Sequence, residues 1–424
     1  MFEYLRAHTQ ILWSALFILL FALLSLQSTK IGGARVGQIY LLALFGIIFL
    51  CDLQKRRIAY EVFLFFWLSA TIMALISFAS IYPKIGESKF LIKYFLIFPA
   101  AYYLGMRMTD RISVEKLIMV LEISALFDAL MAYMIYFLPM PPFIMSLVHF
   151  RDAAYGAVYL DFQGTFFEAG VYAYAVGALF FGALLLRIDY HIWPRRKWLY
   201  ALYFATIILS FFLSTNKTVW IALIVIMIFL ILYKSIRLLG HSSRYQPDGI
   251  RNRDRSLKLL SKINTLYAIG LIFLVVLSFW LVNELMPRPM ITMELIRIKL
   301  EQERGKAFLI ILDLLRQSRW IGGYGFGFVE YYFGVTPVDV IGLGEGVSMV
   351  FNSFLDIWLS VSIFGVLFML LLLFFSFSTL SFFTMAIPIY FFVFANFNPV
   401  AASEEFFLFL GISYGFIQRL KNGH

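Results

Sequence analysis

The chain has 424 residues, of which 62% are hydrophobic and only 14% charged, and its mean hydropathy is +0.85, so it lacks the polar surface needed to wrap a water-soluble core. Apolar runs of about 16 to 25 residues recur along nearly the whole length, each long enough as a helix to cross a hydrocarbon core of roughly 30 Å, whereas a membrane barrel would show a weaker alternating pattern. The net charge of +10 belongs to loops between these runs, which argues against nucleic acid as a partner and for a lipid bilayer.

About twelve spans are expected in chain order: 11–27, 36–51, 60–82, 90–105, 117–138, 168–187, 198–213, 218–233, 264–283, 352–373, 376–395 and 404–418, forming one all-α polytopic domain over residues 1–424. Only Arg6 and His8 precede the first run as basic or histidine residues, and no small-residue cleavage site follows it, so it reads as a retained helix. An even number of spans puts both termini on one side. With the N-terminus inside, the inner segments hold 21 Lys and Arg, including those of "DLQKRRIAY", "RMTDRISVEK" and "RIDYHIWPRRK", against 6 in the short outer segments. The positive-inside bias therefore places both termini in the cytoplasm.

Three loops stand out along the way. An outer loop, 139–167, carries Arg151 and Asp161 and leads through "FQGTFFEAG" to Glu168 at the start of a span. A basic inner loop, 234–262, is explained by attraction to anionic headgroups. A long outer loop, 284–350, holds Arg288, Arg297, Lys299, Arg304, Lys306, Arg316 and Arg319, and its stretch from Thr292 to Gln317 reads as an amphipathic helix. Interleaved Glu294, Glu301 and Glu303 would make those bases a solvated face; guanidinium forks gathered at a membrane surface would instead grip phosphate oxygens. The next segment, "RWIGGYGFGFVEYYFG" (319–334), strings glycines such as Gly323 and Gly325 among aromatic rings, a composition that lets backbone amides approach a ligand and offers flat faces to sugars.

Lys93, Glu122, Asp128 and Asp356 fall inside apolar runs, where an ionisable group must face a partner or a cavity. Glu122 and Asp128, six residues apart, do not share a helix face. Asn352, Asp356 and Ser360 do, spaced by four, and read either as the lining of a cavity under the long outer loop or as hydrogen-bonding contacts between helices.

The order of these pieces resembles the O-antigen polymerase and O-antigen ligase superfamily (Wzy and WaaL types). That superfamily has a hairpin "S-x-S-R", an outer helix with an Arg, a "G-x-G-x-G" segment and an "H-N-x-x-L" helix in the same succession. The resemblance covers roughly residues 160 to 375: Ser214 and Lys217 fall on the hairpin, Arg304 on the outer-helix Arg, "GGYGFGF" on the glycine segment and Phe351-Asn352-Ser353-Phe354-Leu355 on the helix motif. Phe351 stands where ligases carry His, which favours a polymerase. The resemblance implies a GT-C-like, metal-independent, inverting glycosyltransferase without cofactor in the bacterial inner membrane, acting at its outer face. It would transfer a growing glycan from undecaprenyl diphosphate to the terminal sugar of another undecaprenyl-diphosphate-linked repeat unit, with a chain-length-regulating co-polymerase as partner.

Within that expectation Arg304 and Lys217 stabilise the departing diphosphate and Glu168 is the candidate base. Arg297, Lys299, Arg151, Asn352, Asp356, Gly323 and Gly325 are the candidate diphosphate or substrate contacts. Snorkelling of Lys217 at a helix end and a dipole-neutralising role for Glu168 are the structural alternatives. A ligase-type transferase and a lipid-linked oligosaccharide flippase are the functional ones, although a flippase would more often show two related halves and short outer loops. The single Cys51 rules out an intrachain disulfide and a cysteine metal cluster, and the five histidines show no metal-ligand spacing.

Overall fold

A computed structural model of the chain describes residues 2–27, 29–31, 33–139, 141–142, 151–152, 158–159, 162–166, 169–214, 216, 218–229, 304–335, 350–400 and 403–421, the side chains of 2–7, 151–152, 158–159 and 304 excepted. The protein is mostly helical, with α1 (Phe2–Ser25), α2 (Val36–Gln54), α3 (Tyr60–Ala79) and α4 (Glu87–Ile92) followed by a π-turn (Lys93–Ile97) and α5 (Phe98–Arg111). Then come α6 (Val114–Phe137), α7 (Ala169–Tyr190), α8 (Lys197–Leu213) and α9 (Thr218–Phe229). The last described stretch contributes α10 (Arg304–Gln317), α11 (Phe328–Val335), α12 (Ser353–Phe375), α13 (Phe382–Phe397) and α14 (Glu404–Lys421). Two-residue strand pairs, β1 (Lys30–Ile31) with β2 (Ala34–Arg35) and β3 (Arg151–Asp152) with β4 (Val158–Tyr159), are antiparallel hairpins; Arg151 pairs with Tyr159 across the second.

Six described helices (α1, α2, α3, α6, α7 and α12) are long and apolar enough to cross a membrane. Their outward faces are apolar as well: Leu64, Leu68, Leu75 and Phe78 of α3 and Phe364, Leu367 and Phe374 of α12 are exposed. A water-soluble bundle would put charge there, so these surfaces match hydrocarbon and the protein is membrane-embedded. The expected span at 264–283 and the inner loop at 234–262 lie outside the described residues.

The α7 helix is the most enclosed span, with 83% of its apolar window buried between α6 and α13. Between α5 and α14 the packing is closest. A Cβ on Gly411 would lie 2.1 Å from the Tyr102 carbonyl oxygen and one on Gly415 2.6 Å from that of Met106, so this small-x-x-x-small pair lets two backbones touch. Phe98 and Phe407 stack across the same contact with centroids 4.0 Å apart.

Three helices depart from the hydropathy reading. The run expected to span 90–105 is one longer helical path from Glu87 to Arg111, interrupted by the π-turn. The run expected to begin at 376 begins as a helix at Phe382, because Ser376–Ser381 is a polar turn whose Ser381 hydroxyl caps the helix. Asp189 of α7 caps it further, accepting the Phe382 and Phe383 N–H groups at 2.8 and 2.9 Å. The third departure, inside α12, shapes the candidate site.

Candidate functional site

The α12 helix is broken. Asn352 caps it, Oδ1 accepting the Phe354 and Leu355 N–H groups at 2.9 and 3.0 Å, and the chain leaves helical geometry at Val361 and at Ser362, whose φ is +67°. Such a break strands backbone groups at a depth where lipid offers no hydrogen bonds. Three of the groups at the break find partners in the glycine segment. The Leu359 carbonyl accepts from Gly323 and Tyr324 N–H at 2.9 and 2.8 Å, the Ser360 carbonyl accepts from Gly325 N–H at 2.8 Å, and Ile363 N–H donates to the Ile321 carbonyl at 3.3 Å.

That geometry explains the glycines. Gly322, Gly323, Gly325 and Gly327 all have positive φ, and a Cβ on Gly322 would lie 2.1 Å from the Trp358 carbonyl oxygen, with one on Gly327 2.1 Å from that of Ile85. The segment also ties into the α3–α4 turn: Phe326 N–H donates to Ser77 Oγ at 2.9 Å, Ser80 Oγ to the Tyr324 carbonyl at 2.6 Å and Ile85 N–H to the Gly327 carbonyl at 3.1 Å. Gly323 and Gly325, expected as substrate contacts, here donate their amides to the broken helix. Several of the rings are packed inward too, Phe326 stacking on Phe90 at 5.4 Å and Tyr324 on Phe328 at 4.5 Å.

Above the first half of α12 sits a second small core, in which Ala307, Ile311, Leu314 and Leu315 of α10 meet Phe328, Val329, Leu355 and Leu359. The described part of the expected amphipathic helix, Arg304–Gln317, thus docks on α12, and residues 292–303 lie outside the described residues. Arg304 is the first residue of α10.

The α12 helix turns Ser353, Asp356 and Ser360 toward Lys93 and Tyr94 of the π-turn and Phe326, which with other residues line a cavity of about 20 Å³. That volume holds about one water molecule, so it is a polar floor and not a glycan pocket. The π-turn adds a residue to one helical turn, a device that re-aims side chains and is frequent at functional sites. Asp356 Oδ1 accepts the Val350 N–H at 3.0 Å, and its charge near the helix start suits the dipole. Ser353 replaces Asn352 in the expected stripe. Both ends of the Asn352 amide are engaged, Oδ1 in capping α12 and Nδ2 in donating to the Asn396 carbonyl at 2.9 Å.

Two buried carboxylates that the sequence reading missed lie within electrostatic reach of Lys93: Glu404 and Glu405, 2% and 4% exposed, at the start of α14. Glu404 accepts from Gln38 Nε2 at 2.5 Å and faces Arg35 at 4.0 Å; Glu405 accepts from the Tyr174 hydroxyl at 3.0 Å, which also pairs with Ser403. Asn398, whose carbonyl accepts from Ser353 Oγ at 2.8 Å, reaches Thr218 Oγ1 at 3.3 Å. Buried polar contacts thereby join the starts of α2 and α7 to that of α14, and the starts of α9 and α12 to Asn398. Burying a charge is costly unless it is paired, and Glu404 is met by Gln38 and Arg35.

The other intramembrane groups separate as the spacing required. Glu122 pairs with Arg187 through two bonds of 2.6 and 2.7 Å, while Asp128 faces Ser25. The stretch 162–166 is buried, Phe162 edging against Tyr133 and Tyr172. Lys217, Glu168, Arg297 and Lys299 lie outside the described residues, and Arg304 and Arg151 are described by backbone alone. Among the described residues no three His, Cys, Asp or Glu side chains converge to hold a metal ion. No family model, curated protein or solved structure matches the chain.

Proposed function

We propose that the protein is a polymerase of lipid-linked oligosaccharide repeat units, a GT-C-like enzyme of about twelve spans in the bacterial inner membrane, with both termini cytoplasmic and its site at the outer face. The acceptor hydroxyl oxygen attacks the anomeric carbon, the bond from that carbon to the diphosphate breaks with inversion, the proton passes to a base, and undecaprenyl diphosphate leaves with the electron pair. Arg304 and Lys217 stabilise that leaving charge, Glu168 is the candidate base, and Arg297, Lys299 and Arg151 supply further contacts. Lys93, Asp356, Glu404 and Glu405 form the buried electrostatic floor beneath.

The single observation that carries this reading is the broken α12 helix. Its first half packs against α10, which opens at Arg304, its break is held by the glycine segment that follows in the order of the resembled superfamily, and it lines a small cavity with Lys93. Phe351 in place of His supports a polymerase over a ligase-type transferase. A flippase is the second reading, because discontinuous helices with intramembrane charges are also how carriers build binding sites. Purified protein given only a lipid-linked repeat unit separates them: a polymerase yields a ladder of chain lengths without nucleotide sugar, a ligase requires a different acceptor, and a flippase makes no new bond.

A further inference from the structure

At the opposite face, where α2 and α5 end, α3 and α6 begin and α14 ends, the helices part around an open cavity of about 710 Å³. Lys55, Arg57, Arg107, Arg111 and Arg419 line it, facing the carboxylates of Asp52, Glu61 and Asp110. Helix C-terminal dipoles explain why cations gather at such ends. They do not explain the concavity, nor why a buried acid is spent on aiming two of the guanidinium groups. Asp52, with a side chain 4% exposed, holds Arg107 Nε at 2.9 Å and Arg111 Nη2, and accepts the Tyr103 hydroxyl at 2.7 Å. Arg107 is fixed further by Asp110 at 2.8 Å and by the Tyr103 face, Arg111 by the Trp13 face, and Arg419 donates to the Thr109 carbonyl at 3.2 Å. Lys55 and Arg57 stand exposed on the rim.

Preset guanidinium forks with flexible cations at the mouth, in a cavity within the usual ligand range of roughly 300–1,000 Å³, make a receptor for phosphate oxygens. We infer that this cavity is a phosphate-anion site, distinct from the proposed glycan site, whose ligand is the headgroup of an anionic phospholipid or a soluble phosphate compound. The inference stands without the polymerase reading, since it uses none of those residues.

The full-length protein in detergent, with and without the paired substitutions Lys55→Gln and Arg57→Gln, is offered phosphatidylglycerol, phosphatidylcholine or inorganic phosphate at matched ionic strength, and bound lipid is counted by native mass spectrometry alongside a thermal melt. Both altered side chains are exposed, so the fold is expected to persist. Phosphatidylglycerol retained over phosphatidylcholine, and lost by roughly tenfold or more in the variant, assigns the site to lipid. A melt raised by phosphate over chloride in the wild type alone, with the two lipids retained alike, assigns it to a soluble ligand. Equal behaviour of wild type and variant towards all three probes overturns the inference.

Discussion

Substituting Gly322 by Ala tests whether the glycine segment holds the break in α12. The new Cβ would lie 2.1 Å from the Trp358 carbonyl oxygen, and the residue would have to keep a φ of +73°. A left-handed conformation costs an L-residue about 1–2 kcal/mol, and forced overpacking about 1–3 kcal/mol more. The total, about 2–5 kcal/mol, lowers the clasped population by a factor of roughly 30 to several thousand, at about 1.4 kcal/mol for each tenfold. Because Gly323, Tyr324 and Gly325 carry the bonds to Leu359 and Ser360, the loss should show as faster amide exchange across 321–327 and 359–363 before the rest of the bundle changes. Gly334, whose Cβ would meet nothing within 4 Å, is the control. Gly334→Ala should leave exchange unchanged or slow it slightly, as expected for Ala in a helix. Unaltered exchange in Gly322→Ala would refute the clasp.

Other expectations follow from the same contacts. Gly411→Ala should destabilise the α5–α14 contact by about 1–3 kcal/mol, read as a lower melting midpoint, since its Cβ would strike the Tyr102 carbonyl. Arg187→Gln should cost about 2–4 kcal/mol by leaving Glu122 unpaired, and the double change with Glu122→Gln should recover part of that, which a double-mutant cycle of melting curves measures. If the proposed chemistry holds, Arg304→Ala and Lys217→Ala should each slow ladder formation by about 10²–10³ at unchanged protein level.

Much of the bundle was legible because a membrane span needs about twenty apolar residues whatever its neighbours do. The break in α12 was not. "LSVSIFG" stays apolar enough to look continuous, and only an account of which carbonyls lose their partners reveals it. The glycine segment was recognised as a place of close backbone approach, but composition cannot say what approaches. The partner is α12 itself. Asn352 and Asp356 sat on one predicted face, yet the first position of a helix spends its side chain on the exposed amides, so only Asp356 reaches the cavity. Glu404 and Glu405 carried a readable signal, two adjacent acids opening an apolar run, but their burial depends on Gln38 and Tyr174, hundreds of residues away. The four-residue spacing of Gly411 and Gly415 is a helix-packing signal that the hydropathy reading passed over, and its partner, α5, emerges only from the structure.

The most direct test of the account counts undecaprenyl diphosphate. With purified protein and a single lipid-linked repeat unit, the account predicts one molecule of free undecaprenyl diphosphate for each new glycosidic bond, with no nucleotide sugar consumed. Intact donor recovered from the opposite leaflet of a vesicle, with neither bond nor free carrier formed, would contradict it and leave a carrier in its place.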